Sequence, residues 1–598
     1  MKSIIVGLSF TTLLFACSGN NDISKQAQDF LDQYTQTYQD LQYKAAEAEW
    51  KANTMIIEGD TTIPAAARAA KEALAAFTGS TENIEKARYF LQHKQQLEPL
   101  QVRQLEKILY QAAESPQTVA DLVKEKIRVE TEQVKKLFGF DFRIGGKSVS
   151  TNEIDDILKN ETRPSRRLKA WEASKEVGKT LRDGMAKLQE LRNKTVQALG
   201  YDDYFSYQVS DYGITTAEML ELMRRLNREI RPLYRELHTY ARYELAKKYG
   251  LKSVPDMLPA HWLPNRWGQD WTAMVKVKGL DLDAALKTKT AEWLVKQGER
   301  FYVSVGFEPL PQSFWEKSSL YPLPPDAGYK KNNHASAWHM DLERDVRCLM
   351  SVVPNAEWYE TVHHELGHIY YFLEYSRPEV PVLLREGANR AFHEGMGSLL
   401  GLAAMQKPFL AHLDLLPADA QTDEMRTLLK EALNYIVFIP WSAGVMTEFE
   451  YELYANNLPS SQFNQKWWEL KKKYQGIVPP SPRGEDFCDA ASKTHITNDP
   501  AQYYDYAISY VILFQLHDYI AKNILNQDPH ATNYYGNKAV GDFLKKIMQP
   551  GATRDWRELL RETTGEDLTA KPMLDYFEPL LTYLKKVNQG RKHTLPDI

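Results

Sequence analysis

The sequence predicts a mostly α-helical fold with very little β-structure. Apolar residues recur every three or four positions over long stretches, and runs alternating with a period of two are few and short. The 598-residue chain also exceeds what one compact core of ordinary size holds. The expectation is a single helical domain over residues 31–598, its two subdomains flanking a deep central cleft. Hydrophobic residues make up 43% and charged residues 26%, a composition that excludes a disordered or membrane-embedded chain. The 74 basic and 79 acidic residues leave a formal charge of −5, so there is no overall electrostatic case for nucleic acid.

At the start of the chain, Lys2 precedes an apolar stretch from Ile4 to Leu14 and then Phe15-Ala16-Cys17. This reads as a secretory signal over residues 1–17, too short for an ordinary spanning helix. Leu14 to Cys17 resembles a bacterial lipobox, with Cys17 as the lipidated first residue of the mature chain, although Phe15 is bulky for its position. The polar residues 18–30 are expected to form a flexible tether. The lipid would then be the only link to a membrane, and the protein would face the periplasm or the cell surface. Cys348 and Cys488 can pair or stay free in an exported protein, and their spacing is not that of metal ligands.

Helical periodicity then runs through Ala27 to Glu49, Ala65 to Ala76, Glu85 to Ala113, Gln117 to Leu137 and Arg163 to Leu199. Between Thr216 and Gly250, Met219, Leu222, Leu226, Ile230, Leu233, Leu237 and Tyr240 form an apolar stripe, which Thr215 or Thr216 can cap and Pro232 is expected to kink. Further helices are expected over Ala284 to Val305, Thr422 to Ile439 and Tyr506 to Asn523. Short strand candidates are Lys147 to Ser150, His334 to Trp338 and Leu349 to Val353.

Within WYETVHHELGHIYYFLEY, residues Trp358 to Tyr375, His364 and His368 are one helical turn apart and share a face. With Glu365 beside them this is the His-Glu-x-x-His arrangement of a zinc hydrolase: two imidazoles hold the metal and the carboxylate handles the proton of the attacking water. Glu360, Thr361, Val362, Leu366, Ile369 and Phe372 continue the helical pattern that an i, i+4 ligand pair needs. Catalytic zinc takes a third protein ligand and keeps a fourth position open. Glu394, 26 residues after His368 on an apparent second helix, is the favoured third ligand, with Glu386 and His393 as competitors.

HHELGH followed by REGAN and FHE resembles the zinc region of the peptidyl-dipeptidase A family, the family of angiotensin-converting enzyme. HASAW from His334, LPAHWLPNRWGQDW from Leu258, WWELKKKYQG from Trp467 and KTHITNDPAQYYDYAIS from Lys493 are similar to family blocks in the family's order, and AEAEWKANT from Ala46 resembles its amino-terminal region. The resemblance covers most of the mature chain and implies a helical body with one zinc ion per chain, held by His364, His368 and Glu394. It implies Glu365 as general base, His495 and Tyr506 as oxyanion donors, and His334 and Ala335 as contacts to substrate backbone. Gln269, Lys493 and Tyr503 would clamp a free carboxyl terminus. The implied activity is release of dipeptides from the carboxyl end of oligopeptides. Other helical zinc oligopeptidases or carboxypeptidases, and a non-catalytic peptide-binding lipoprotein, are the alternatives.

Three departures accompany the resemblance. Where animal members carry an Asp supporting the metal shell, this chain has Ser398. Asn333 and Ser351 stand at the places of the disulfide that brackets the zinc region. By alignment, the arginines of the two chloride sites correspond to Gln208 and Lys471 for the first and Asp505 for the second. Chloride is therefore not expected to be required.

Overall fold

Long amphipathic helices build the body of the computed structural model, which describes residues 15–277 and 282–598, with side chains from residue 22 onward. Residues 1–14 of the expected signal over 1–17, and the side chain of Cys17, lie outside the described residues. The fold is mostly α-helical, and the described strands number six, each of two to four residues. Among the described residues no helix is long and apolar enough to cross a membrane.

The helix Phe15–Thr54 corrects the expected tether. Ala27, Phe30, Leu31 and Tyr34 follow helical spacing and are buried against Phe90, Leu105, Ile108 and Leu383, so residues 18–30 belong to a helix rather than a flexible linker. The stretch read as one helix from Glu85 to Ala113 is two, Thr81–Gln92 and Pro99–Ala113. Pro99 lacks the N–H that continuation needs, and a capping box of Glu98 with Gln101 starts the second helix instead. Ala284 to Val305 likewise divides into Leu282–Leu286 and Ala291–Val305, the latter capped by Thr290.

Thr216–Lys248 runs unbroken through Pro232, starting at a capping box of Thr215 with Glu218. Pro232 lies on the exposed face, where a carbonyl left without its helical partner can bond to water. Of the strand candidates, Lys147–Val149 pairs antiparallel with Phe142–Ile144. Ser336–His339 pairs antiparallel with Val346–Leu349, three residues before the expected second strand. The parallel pair Leu258–Pro259 with Ile477–Val478 has no sequence signal.

Two buried cations tie distant segments together. The Arg167 guanidinium, on the helix Pro164–Gln197, donates to the carbonyls of Leu158, Glu161, His261, Trp262 and Leu263 at 2.7–3.0 Å. It uses the whole donor capacity of an arginine to fix the segment leading to Gln269. Lys331 donates to the carbonyls of Ser319, Tyr321 and Met350 and to the Ser319 hydroxyl, holding together the segments that flank the strand pair before the helix Ala356–Tyr375. Nearby, the Ser351 hydroxyl donates to Asn333 at 3.3 Å. Cys348 and Cys488 are buried and free.

Candidate metal centre and cleft

Three helices meet at the site: Ala356–Tyr375, Arg390–Ala404 and Tyr504–Tyr519. The first two are capped by Asn355 and Asn389, whose side chains accept from Trp358 N and Phe392 N. They approach closely because glycines face each other. A Cβ on Gly367 would lie 2.8 Å from the Gly397 Cα, and one on Gly397 would lie 3.0 Å from the His364 ring. That approach brings Glu394 on one helix to His364 and His368 on the other.

His364 Nε2 lies 3.1 Å from His368 Nε2 and 3.9 Å from a Glu394 oxygen, and the three donor atoms fall within 4.8 Å of one another. Ligands at zinc bond lengths in a tetrahedron are about 3.3 Å apart, so this donor set fits a zinc ion. Burial holds the His364 ring down at about 4, with His368 adding and Glu394 opposing. His368 is lowered by burial as well. Both imidazoles are thus neutral near pH 7, the form that binds a metal. Of the two competitors for third ligand, Glu386 pairs with Lys107 at 2.6 Å, while His393 places its Nδ1 2.7 Å from His368 Nδ1.

The His393 contact escaped sequence reasoning. If His368 gives its Nε2 lone pair to a metal, its Nδ1 carries the proton and donates to His393, which fixes the ring orientation. Position 398 offers nothing equivalent: among the described residues no hydrogen bond reaches His364 Nδ1. Glu365 is buried, and burial, with the charge of Glu394 adding, pushes its carboxyl up to about 8.

A cavity of about 730 Å³ is lined by His364, Glu365, His368 and Glu394 together with His334, Ala335 and Tyr506. Lys107, Tyr110, Asp211, Glu386 and Asn389 are shared with an adjoining cavity of about 440 Å³, and the two form a continuous cleft. The Tyr506 hydroxyl is 3.4 Å from His495 Nε2. Burial pushes the phenol up to about 12 against the pull of Arg390. Burial, with Lys493 adding, holds His495 at about 4.

Lys493 donates to the Gln269 side chain at 3.0 Å and lies 5.4 Å from the Tyr503 ring centroid. The Tyr503 and Tyr506 rings are 5.0 Å apart, so the structure brings the three expected clamp residues together beside the expected oxyanion donors. Lys493 is 4% exposed, and burial, with Arg266 adding, lowers its ammonium to about 7.

One grouping expected for the chloride sites is not brought together in the structure. Gln208 is not beside Lys471; it accepts from the Tyr110 hydroxyl and donates to the Tyr204 hydroxyl. The group that shares a small enclosed cavity with Lys471 is Lys175, together with Arg266, Trp267 and Trp467. Lys175 comes from the helix Pro164–Gln197, remote in sequence. Asp505 is buried, accepts from the Tyr212 hydroxyl at 2.6 Å and lies 3.4 Å from Arg390 Nε.

The profile of peptidase family M2, described as angiotensin-converting enzyme, matches residues 21–595. Angiotensin-converting enzyme of Oryctolagus cuniculus is 29% identical over 590 residues, 94% of this chain and 43% of that protein. The enzymes of Bos taurus and Mesocricetus auratus are 32% and 31% identical over 460 and 458 residues, each 74% of this chain and 34% of the relative. This chain therefore spans less than half the length of the curated relatives it matches. With the profile running from the first buried helix to the last residues, and the His364, His368 and Glu394 cluster inside it, the chain belongs to peptidase family M2, the family of angiotensin-converting enzyme.

Proposed function

We propose that this chain is a zinc-dependent peptidyl-dipeptidase that hydrolyses oligopeptides two residues from a free carboxyl terminus. The observation that carries this reading is one cavity wall holding the three donors, Glu365, Tyr506 and His334. His364, His368 and Glu394 would hold a zinc ion, which when bound would supply the Lewis acidity for activating water and polarising the scissile carbonyl. Glu365, whose carboxylate form a cation bound beside it would favour, accepts the proton of the attacking water and passes it to the amine of the departing dipeptide. Tyr506 and His495 donate to the carbonyl oxygen as it gains charge, an interaction stronger in the transition state than in the substrate. His334 and Ala335 hold the substrate backbone. Lys493, Gln269 and Tyr503 hold the terminal carboxylate, and a requirement for a free carboxylate there would set the cut two residues inward.

The test is incubation of the zinc-loaded protein with a blocked tripeptide. Release of a dipeptide supports the reading; release of a single amino acid or of nothing refutes it. The same proposal includes export and anchoring through Cys17, which mass spectrometry of the mature amino terminus checks: a lipid-modified Cys17 is expected, and an unmodified or uncleaved terminus refutes it. Chloride is proposed to be dispensable, because Asp505 supplies a carboxylate where the second anion would bind.

A further inference from the structure

Arg390 opens the helix that carries Glu394 and lines the cleft with Gln502 and Tyr506, its side chain 34% exposed. Its two terminal nitrogens each donate to one oxygen of Asp499 at 2.8 Å, and Nη1 also donates to Gln502 at 3.1 Å. Its Nε faces Asp505 Oδ2 at 3.4 Å. These two carboxylates bracket the segment joining the proposed oxyanion donors. Asp499 N donates to the carbonyl of His495 at 3.0 Å, and Asp505 directly precedes Tyr506.

The bracketed segment turns through Ala501 in a left-handed conformation, φ 59°, which a residue with a Cβ adopts only when its surroundings impose it. Asp505 is 1% exposed, and its Oδ2 has no hydrogen bond. Arg390 is its ion-pair partner among the described residues. Tyr212 adds a second tie, donating to Asp505 Oδ1 and accepting from Ala391 N, the residue after Arg390. The Arg390 guanidinium carbon lies 6.0 Å from the Tyr506 ring centroid. The fork therefore clamps both ends of one turn against the metal-bearing helix, a geometry that a planar bidentate group satisfies and a point charge does not.

We propose that Arg390 is a positioning residue for the oxyanion donors: through Asp499 and Asp505 it holds His495 and Tyr506 in register with the helix that carries Glu394. This rests on the peptidase reading above. Because His495 and Tyr506 act on charge that develops in the transition state, loss of the clamp lowers kcat and leaves KM, set by the Lys493 and Gln269 contacts, nearly unchanged.

The experiment compares zinc-loaded wild type, Arg390→Ala, Arg390→Lys and Tyr506→Phe on the blocked tripeptide, with zinc content measured for each. For Arg390→Ala, kcat is expected to fall about 10²- to 10³-fold with KM and zinc content near wild type. Arg390→Lys is expected to recover only a small part of the loss. Added guanidinium is expected to restore turnover to Arg390→Ala and not to Tyr506→Phe. A kcat within about threefold of wild type, or a loss that tracks zinc content and is not rescued, overturns the inference. A second arm needs no turnover: with 3-fluorotyrosine placed at position 506, the ¹⁹F resonance is expected to shift and broaden in Arg390→Ala. An unchanged resonance overturns the inference, whereas a wild type that releases no dipeptide overturns the peptidase reading alone.

Discussion

Amidation of a substrate's carboxyl terminus separates dipeptide release from other modes of cutting. In the proposed complex the terminal carboxylate meets Lys493, which is almost wholly buried and bonded to Gln269. Losing one partner of a buried, hydrogen-bonded charge pair costs about 2–5 kcal/mol, or about 30-fold to several thousand-fold in kcat/KM. Burial lowers Lys493 to about 7, which places the effect within this range according to pH. The carboxylate binds the protonated ammonium. Below pH 7 Lys493 already carries that proton and the full discrimination is present. Above pH 7 the acid substrate must draw a proton onto Lys493, so its advantage falls by up to about tenfold per pH unit until the ammonium of the complex itself titrates. The assay is kcat/KM for matched acid and amide tripeptides from pH 6 to 8.5; effects of pH on Glu365 and the metal site cancel in the ratio. A ratio near one at every pH, or one that Lys493→Ala leaves unchanged, refutes the reasoning.

Glu365→Gln is expected to keep stoichiometric zinc and lose about 10²- to 10⁴-fold in kcat, as removal of a general base does. His368→Ala is expected to lose zinc as well, and metal analysis of the two purified variants separates the roles. Gly367→Ala puts a methyl 2.8 Å from the Gly397 Cα; splaying the two helices is expected to cost about 1–3 kcal/mol of stability and weaken zinc binding, both measured by thermal melts with and without the metal. Raising chloride in acetate buffer at constant ionic strength is expected to leave dipeptide release unchanged. A severalfold rise would point to the enclosed cavity of Lys175 and Lys471 as a working anion site.

What was legible in the sequence was local. His364, Glu365 and His368 declare themselves because one helical turn fixes their geometry, and Glu394 follows because its separation of 26 residues from His368 suits a helix, a loop and a return. Partnerships across the fold were not legible. His393 read as a competing ligand because nothing in FHE shows that its ring turns toward His368. Gln208 was assigned to an anion site by local alignment, yet the group beside Lys471 is Lys175, about 300 residues away in the chain. Arg390 gives no signal at all, since its meaning depends on Asp499 and Asp505 arriving from a segment about 110 residues further along the chain. In the fold, long amphipathic helices are recognisable, including Ala27 to Glu49 of the first, whereas the start of that helix, residues 18–30, reads as a tether because its polar residues give no apolar stripe and the partners of Phe30 and Leu31 lie far along the chain.

Lys331 gives the zinc-region scaffold a different chemistry from a covalent staple. The segments before the helix Ala356–Tyr375 converge on its ammonium rather than on a sulfur–sulfur bond, and Cys348 and Cys488 are buried thiols. The scaffold therefore completes itself without an oxidant or an isomerase and does not come apart in a reducing medium. Among the described side chains there is no disulfide for thiol reagents to act on. The sensitivity is transferred instead to alkali: burial lowers the Lys331 ammonium to about 8, so the contacts of its charged form are complete below that value and weaken as protons are withdrawn above it.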